Sequence, residues 1–286
     1  MTRVAIGVLA GERPGPRPVA DAEGVSGKVL VDIDGRPMLA RVLDVAAAAV
    51  DGRPIHVCGP QALLRGAAAE LDRRSASGEL AWVEPGASPS MAARALVEAG
   101  LAGGNDAVVI TTGDHPLLTA GTLGAFVAAA LATDADAVAG LASHAAVRAA
   151  FPASRRTALK FADEARCGCN LFLFRGAAAL PVLDFWQTVE SHRKQPHRIL
   201  GLLGPGTVVR YMAGRLTLDE ALRQLSRVAG ASVATARIAD PDAAVDVDSL
   251  EDLATVRARW AARAAQDALR TTDSGAAPLP RGSSNT

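Results

Sequence analysis

Short apolar runs rich in β-branched residues recur along the first half of the chain, each bounded by Gly, Pro or charged residues. Continuous apolar runs of this kind are typical of strands buried on both faces of a parallel sheet. Between them lie segments whose apolar residues recur at helical spacing. The alternation predicts an α/β fold: a single Rossmann-like domain with a mostly parallel central sheet and helices on both faces. The predicted strands of this part are residues 4–10, 29–33, 55–58, 80–83, 107–110 and 137–141.

Turn chemistry marks where the helices between these strands begin. Pro37 opens one helix, residues 60–71 form another, and residues 91–99 form a third. Ser90 precedes the third helix, where it either caps the helix or touches a bound ligand. Thr119 caps the next helix, whose apolar stripe packs on the sheet.

The strand at 107–110 leads directly to an acidic side chain. Gly113 ends the extended run, Asp114 follows it, and Pro116 prevents the strand from continuing. In open α/β sheets, ligands bind outside the carboxyl ends of the strands. Asp114 is therefore placed to hold a metal ion against a phosphate. Alternatively, it only caps the turn before the helix, and spacing alone leaves both interpretations open.

A long stretch without helical or strand periodicity joins the first two strands, from Gly11 to about Lys28. It exceeds the roughly four to six residues that are usual for such a connection, and long ordered loops are often functional. Its backbone N–H groups can cradle phosphates, with Arg13 and Lys28 adding positive charge. The alternative is a solvated surface loop.

Beyond residue 135 the pattern changes. Residues 155–162 and 170–174 are predicted as strands joined by a turn, and we expect them to be an insertion or an extension of the sheet opposite the loop end. Residues 178–229 are mostly helical and carry a basic patch, which is either a solvated helix face or a site for an anionic substrate. The basic patch consists of His192, Arg193, Lys194, His197 and Arg198.

Two more acids follow a predicted strand at 232–238. Asp246 and Asp248 end a further extended segment, and because side chains alternate along such a backbone, both lie on the same face. Ser249 and Asp252 form a variant of the capping box that starts the last helix.

Periodicity ends near residue 266, where Thr, Ser, Gly and Pro dominate. A segment of this composition buries too little apolar surface to offset the entropy of ordering it. We therefore predict one domain at 1–265, in which about 140–230 form an insertion with additional helices, and a disordered tail at 266–286.

Composition narrows the classes of function. The 30 basic and 30 acidic side chains cancel, so no electrostatic footprint indicates binding to nucleic acid or to an anionic membrane. Cys58, Cys167 and Cys169 are too few for a disulfide framework, and a reducing cytoplasm is the expected location. The pair Cys167 and Cys169 is either half of a metal site or two ordinary thiols. Neither a signal peptide nor a membrane span of about 18 apolar residues is predicted.

Three stretches together resemble a known family. They are L-A-G-E-R at 9–13 with Lys28, T-G-D-H-P-L-L at 112–118, and D-V-D-S-L-E-D-L at 246–253. The chain resembles the nucleotidyltransferases with a glycosyltransferase-A-like, Rossmann-like fold (the nucleotide-diphospho-sugar transferase type) over about residues 3–262. Within them it is most similar to the molybdenum-cofactor guanylyltransferase-like branch, the MobA-like NTP transferases.

The resemblance implies roles for individual residues. Asp114 corresponds to the first magnesium-binding aspartate, and Asp248 to the second, with Asp246 as the alternative. Asn170 contacts the acceptor, and Lys160 is assigned to the same side. Catalysis is assigned to Arg13 and Lys28 together with Asp114. The nucleotide is expected to contact Leu9, Ala10, Gly11, Glu12, Arg13, Lys28, Ser90 and Gly113.

One departure from the family pattern concerns the loop after Gly11. The family loop is glycine-rich, whereas this chain has Glu12, Pro14, Pro16 and Pro18, and proline contributes no N–H donor. Lys28 also lies farther along the chain than the family pattern has it. The triphosphate is therefore held differently, or the activity is weakened.

The expected reaction is the Mg²⁺-dependent transfer of a nucleotidyl group from an NTP, with GTP or CTP favoured, to a phosphorylated small molecule, with release of pyrophosphate. A glycosyltransferase that uses a nucleotide sugar is a rival, but its D-x-D motif would be Asp134 and Asp136, which lie past the helix. A non-catalytic nucleotide-binding protein is the second rival, favoured by the proline-rich loop.

Overall fold

A computed structural model of the protein describes residues 2–12, 15–49, 52–154, 156–192, 202 and 204–273, with side chains as far as residue 266. Strands and helices alternate along its first half, as the sequence predicts. The strands are β1 (Val4–Leu9), β2 (Asp32–Ile33), β3 (Arg36–Pro37), β4 (Ile55–Cys58), β5 (Leu80–Val83), β6 (Ala107–Thr112), β7 (Ala137–Ser143), β8 (Leu159–Lys160), β9 (Ala165–Arg175) and β10 (Val233–Ile238).

Helices flank the sheet on both faces. They are α1 (Pro18–Ala22), α2 (Met38–Ala47), α3 (Gln61–Ala67), α4 (Ala69–Ala76), α5 (Pro89–Ala102), α6 (Ala120–Leu131), α7 (His144–Ala150), α8 (Leu180–Ser191), α9 (Pro205–Met212), α10 (Leu218–Ala229) and α11 (Leu250–Asp273). Short 3-10 helices cover Lys28–Leu30, Ala177–Ala179 and Pro241–Ala244.

The central sheet has the strand order β10-β7-β9-β6-β1-β4-β5, and β8 pairs with β9. The pairs β1–β4, β1–β6, β4–β5 and β7–β10 are parallel. β9 runs antiparallel to both of its neighbours, β6 and β7. The predicted α/β fold with a mostly parallel sheet is therefore confirmed.

Alternate residues of β6 pack into two separate cores. Val109 belongs to the core that includes Leu39 of α2, whereas Val108 belongs to the one that includes Leu96 of α5. α5 lies close against the sheet because Gly100 carries no side chain: a Cβ there would come within 2.7 Å of a methyl carbon of Val108. Burial on both faces explains why β6 is a continuous apolar run.

The prediction for the strands at 155–162 and 170–174 is wrong in extent and position. β8 contains only Leu159 and Lys160, whereas β9 begins at Ala165 and continues to Arg175. β9 lies in the middle of the sheet between β6 and β7, and so does not extend it at an edge. The order of strands depends on contacts between residues far apart in sequence, and local periodicity carries no information about them.

Two elements predicted in the N-terminal part of the chain differ from those in the structure. Residues 29–33 form the end of a 3-10 turn and then the first strand of the small β2–β3 hairpin. All of them except the exposed Asp32 are buried, although only the end of the run is a strand. The helix predicted at 60–71 is broken at Ala68, whose backbone is extended (φ −141°, ψ 112°), and it forms α3 and α4.

The C-terminal segment also differs from the prediction. Asp246 and Asp248 follow the 3-10 helix Pro241–Ala244 and are not at the end of a strand. α11 continues to Asp273, so the predicted boundary at residue 265 falls inside a helix, and the rest of the predicted tail, 274–286, lies outside the described residues. Ser249 and Asp252 bond each other's backbone N–H groups, which confirms the predicted cap.

Candidate active site

The site lies where β1 and β6 end. The backbone N–H of Gly113 donates to the carbonyl of Leu9 over 2.8 Å, so the turn after β6 is bonded to the end of β1. A Cβ on Gly113 would come 3.0 Å from Leu39 Cδ1, so a side chain here would push Leu39 aside and glycine allows the close packing. The turn thereby presents Asp114 at the carboxyl edge of the sheet, where the sequence places it.

Three carboxylates meet at this edge. Asp114, Asp246 and Asp248 each offer an oxygen, and these oxygens lie within 4.8 Å of one another. The segment that carries the second and third acids is bonded to the turn, because the N–H of Val247 donates to the carbonyl of Asp114 over 3.0 Å. The predicted grouping of these acids is thus found without the predicted strand.

Lys28 joins two of the three carboxylates. Its Nζ lies 2.6 Å from Asp114 Oδ2 and 2.7 Å from Asp248 Oδ1. Burial alone would raise the pKa of Asp114, but the charge and hydrogen bond of Lys28 outweigh it and hold that pKa below its ordinary value. Burial likewise opposes the ammonium, but the two carboxylates raise the pKa of Lys28. Lys28 and Asp114 are therefore both charged at neutral pH.

The loop holds Lys28 through its main chain. The backbone N–H of Lys28 donates to Glu12 Oε1 over 2.7 Å. Arg17 reinforces the loop by donating to the carbonyl of Ser26 over 2.8 Å. Glu12, the first departure from the family loop, therefore has a structural role: it closes the long connection onto Lys28.

Asp246 is held from two sides. Asn170 donates from its side-chain amide to Asp246 Oδ2 over 2.9 Å, and Arg156 forms an ion pair with Oδ1. Asn170 has a positive φ of 49°, at a place where the register between β7 and β9 shifts. Asn is among the residues that tolerate this conformation, and such backbone irregularities cluster at functional sites. Asp248, by contrast, is the most exposed of the three acids, with 67% of its side chain accessible.

His115 is buried beside Asp114. Burial lowers the pKa of its imidazole to about 4, although the neighbouring carboxylate opposes the shift. The ring is therefore neutral at pH 7 and adds no positive charge to the acidic cluster.

Two adjoining cavities open around these residues. The smaller, about 360 Å³, contains the acids, Lys28 and Asn170. The larger, about 690 Å³, is bounded by the end of β1, by α3, by the start of α5 and by α8. Both cavities are lined by Leu9, Gly11, Glu12, Arg17, Val29 and Pro89.

α8 contributes polar side chains to the larger cavity. Gln187, Glu190 and Ser191 line it, as expected for one face of a helix at this spacing. Glu190 accepts hydrogen bonds from the backbone N–H and the hydroxyl of Ser90, which is 1% exposed. The hydroxyls of Ser90 and Ser88 are 2.9 Å apart. Ser88, not Ser90, caps α5, because its Oγ accepts from the N–H of Met91.

The structure brings together most of the predicted site residues. Ala10 lines the larger cavity. Gly113 and Ser90 are not among the described residues that line either cavity. Gly113 instead supports the turn that carries Asp114, and Ser90 is hydrogen-bonded to Glu190. Lys160, on β8, is exposed and is likewise not among the residues lining the cavities. Arg13 and, of the basic patch, residues 193–198 lie outside the described residues.

Sequence reasoning missed four residues of the site. Arg17 and Arg156 gave no local signal, because their partners lie elsewhere in the fold. Glu190 lies 100 residues from Ser90 along the chain. Ser88 could have been found, since a serine directly before a proline is a common start of a helix.

The donor set fits a divalent cation that prefers oxygen. Asp114 Oδ1 is buried and makes no hydrogen bond to any described residue. Mg²⁺ binds through one or two carboxylates and completes its octahedron with water and phosphate oxygens.

The D-x-D motif expected for the rival glycosyltransferase does not line this site. Its Asp136 accepts hydrogen bonds from the backbone N–H and the hydroxyl of Ser232, over 2.7 and 2.6 Å, away from the cavities.

Comparison with known proteins identifies the family. The model of the MobA-like NTP transferase domain matches residues 8–183, which is more than half of the chain. The chain therefore belongs to the MobA-like NTP transferase domain family, and it is a transferase of the nucleotidyltransferase kind. A search of curated proteins found no match.

Solved structures share the fold. A hypothetical transferase from Thermus thermophilus is 26% identical, with a TM-score of 0.71, and the match covers 88% of this chain and 100% of that one. CMP:2-keto-3-deoxy-manno-octonic acid synthetase in complex with CTP is 17% identical, with a TM-score of 0.53 and coverage of 92% and 100%. A 4-diphosphocytidyl-2C-methyl-D-erythritol synthase from Anaerococcus prevotii is 12% identical, with a TM-score of 0.53 and coverage of 90% and 96%.

No helix within the described residues is long and apolar enough to cross a membrane.

Proposed function

We propose that the protein transfers a nucleotidyl group from an NTP to a phosphorylated small molecule and releases pyrophosphate. The observation that carries this proposal is the meeting of Asp114, Asp248 and Lys28 in a cavity that adjoins a second, larger one. The smaller cavity suits the phosphates, and the larger one suits the base and ribose. The solved CMP-sugar synthetase that shares the fold contains CTP, which is consistent with this assignment.

The reaction needs positioning more than proton transfer. An acceptor phosphate oxygen attacks the α-phosphorus in line, and the bond from the α-phosphorus to the bridging oxygen of the departing pyrophosphate breaks. A phosphate oxygen is already nucleophilic at neutral pH, so no general base is required. When bound at the acidic cluster, Mg²⁺ supplies positive charge to the phosphate oxygens. Lys28 and Arg17 add charge from the protein, as does Arg13 by the family resemblance.

Asp114 and Asp248 are proposed as the metal ligands. Both Asp246 oxygens already have protein partners, Arg156 and Asn170. Asp246 therefore orients the site and holds Asn170 in place. Asn170 lines the smaller cavity, where we propose that it contacts the acceptor.

The wall of the larger cavity favours a base that carries an amino group. A carboxylate only accepts, so the Ser90 hydroxyl donates to Glu190. Ser88 must then donate to Ser90, and the lone pair left on Ser88 accepts from the cavity. ATP, GTP and CTP present amino groups, whereas ITP and UTP lack them. This wall therefore disfavours UTP, and the family resemblance then favours GTP or CTP.

Pyrophosphate release tests the function. The protein is incubated with each of the four NTPs, a panel of phosphorylated acceptors and Mg²⁺, with EDTA as the control. We expect pyrophosphate and a nucleotidylated acceptor in equal amounts, only with the metal present. Nucleotide binding without turnover would support the non-catalytic rival, and consumption of a nucleotide sugar without pyrophosphate would support the glycosyltransferase.

Matched nucleotides test the preference. We expect CTP to bind more tightly than UTP, and GTP more tightly than ITP, by about 1 kcal/mol, the size of one net hydrogen bond. Glu190→Gln keeps an acceptor for Ser90 and should preserve both ratios. Glu190→Ala removes the acceptor that orients the hydroxyls of Ser90 and Ser88, so either hydroxyl can then donate. The CTP-to-UTP and GTP-to-ITP affinity ratios should therefore come close to one. Ratios that stay the same in Glu190→Ala would contradict the hydroxyl arrangement.

A further inference from the structure

Lys28 occupies the position between the two carboxylates proposed to hold the metal. Its Nζ lies 2.6 Å from Asp114 and 2.7 Å from Asp248. These are the lengths of charge-assisted hydrogen bonds, so the ammonium satisfies both acids. A lysine proposed to bind phosphate and an aspartate pair proposed to bind metal are thus paired with each other.

The two cations compete for the same oxygens. An ammonium in contact with both carboxylates leaves less room and less negative charge for a divalent ion, and two neighbouring cations repel. When a divalent ion binds to Asp114 and Asp248, Lys28 loses its partners and its charge needs a new one.

The chain allows the ammonium to move without moving the loop. The backbone of Lys28 is fixed by the hydrogen bond to Glu12, whereas its flexible four-carbon stem carries the charge. Lys28 already lines the smaller cavity together with Arg17, so a turn of the side chain keeps it beside the phosphates of a bound nucleotide.

We propose that Lys28 is a built-in stand-in for the metal, which the ion displaces from Asp114 and Asp248 and which then binds the nucleotide phosphates. This inference rests on the proposed metal ligands Asp114 and Asp248, and, for the second position of Lys28, on the proposed nucleotide site. It makes metal binding weak before the nucleotide arrives, because the ion must first break the ammonium contacts. Nucleotide and metal then bind cooperatively, because the phosphates take up the released lysine.

The small number of lysines gives a direct test. The chain has only Lys28, Lys160 and Lys194. The protein is treated with an amine-reactive ester in EDTA, with Mg²⁺ alone at a concentration that saturates the acidic cluster, and with Mg²⁺ and CTP or GTP, and labelling of each lysine is followed by peptide mass spectrometry. We expect Lys28 to react slowly in EDTA, faster with Mg²⁺ alone, and slowly again with the nucleotide. Lys160, which is exposed on β8, should react equally throughout. Equal or slower labelling of Lys28 with Mg²⁺ alone would overturn the proposal.

Metal affinity of variants separates displacement from a general charge effect. Lys28→Met should bind Mn²⁺ about tenfold more tightly than the wild type in electron paramagnetic resonance titrations without nucleotide. Arg17→Met removes one positive charge from the same cavity, but no contact to the acids, and should change Mn²⁺ affinity much less. Equal tightening in both variants, or none in Lys28→Met, would overturn the proposal. Both measurements run without an acceptor, so they can succeed even if nucleotidyl transfer itself is absent.

Discussion

At the scale of single residues, the three aspartates of the cluster differ in what holds them. Asp114 is positioned by its turn and bonded to Lys28, Asp248 reaches Lys28 from an exposed position, and Asp246 is bound by Arg156 and Asn170. Asp114 and Lys28 were predictable because turn chemistry and motif placed them. The division of roles between Asp246 and Asp248 was not, because it depends on partners from β9 and from the segment before β8.

Neutralising the proposed metal ligands should remove activity and leave the fold. Asp114→Asn and Asp248→Asn each keep the shape of the side chain but remove the negative charge that would hold a divalent ion. We expect Mg²⁺-dependent pyrophosphate release to fall by at least about a hundredfold, on the scale of other losses of transition-state charge stabilisation. The urea midpoint of Asp248→Asn should stay close to that of the wild type, since this side chain is exposed. Full activity in both variants would show that the metal site is elsewhere.

Asp246→Asn should behave differently. It breaks a mostly buried ion pair with Arg156 and weakens the hold on Asn170, so both stability and activity should fall. Removing one partner of a charged hydrogen bond costs about 1–3 kcal/mol of the free energy of unfolding. Urea unfolding measures that loss, with exposed Asp219→Asn as the control. If the variant loses activity while its free energy of unfolding stays that of the wild type, Asp246 is instead a direct metal ligand.

At the scale of elements, the parallel strands were predictable and the antiparallel one was not. Most of the parallel strands are short apolar runs, which can be seen in the local sequence. β9 differs, because its place between β6 and β7 is set by pairing with strands dozens of residues away. The same holds for the site: the loop and the Asp114 turn carry local signals, whereas α8 forms the cavity wall through contacts that only the fold creates.

The pair of helices α9 and α10 provides a prediction about pH. Glu220 completes a capping box with Thr217, and hydrogen bonds from Arg210 of α9 lower the pKa of Glu220 to about 2. A carboxylate with a lowered pKa in the folded state stabilises the fold above its unfolded pKa of about 4.5, and this contribution is lost as pH falls toward 2.

Glu220→Gln tests this contribution. The variant should melt at a lower temperature than the wild type near pH 7, and the difference should shrink between about pH 4.5 and 2. Exposed Asp219→Asn, on the same turn of α10, should show a smaller difference from the wild type across this range. A difference that grows on acidification would contradict the assigned sign.

At the scale of the whole molecule, α11 connects the segment that carries Asp246 and Asp248 to the N-terminal half of the chain. Arg257 bonds Glu23 of the segment after α1, and Trp260 bonds Asp34 and lies under the guanidinium of Arg41. These contacts end before residue 266 among the side chains that the structure describes. The position of Asp248, directly before this helix, therefore depends on the packing of α11 as a whole.

Removing the end of the chain should have little effect. The sequence of residues 271–286 lacks apolar periodicity, so we predict that this segment can bury too little surface to offset its ordering entropy. Deleting them should leave the melting temperature and NTP affinity unchanged, as measured by differential scanning fluorimetry and calorimetry. A fall of several degrees would show that this segment packs against the domain.

One buried acid contributes two ion pairs to the attachment of α11. Asp242, which is 1% exposed, accepts hydrogen bonds from Arg259 and Arg263 of α11. Asp242→Asn leaves both guanidiniums without their counter-charge, but each is partly exposed and can turn toward water. We therefore expect a loss of about 2–3 kcal/mol in the free energy of unfolding, at the low end for a broken buried pair.

The same substitution should also weaken metal binding. Because α11 positions Asp248, the affinity for Mn²⁺ should fall, although Asp242 touches none of the three clustered aspartates. Urea unfolding and Mn²⁺ titration measure the two effects, with Asp219→Asn as the matched control. A variant that loses stability but keeps full Mn²⁺ affinity would show that the acidic cluster is positioned independently of the contacts between Asp242 and α11.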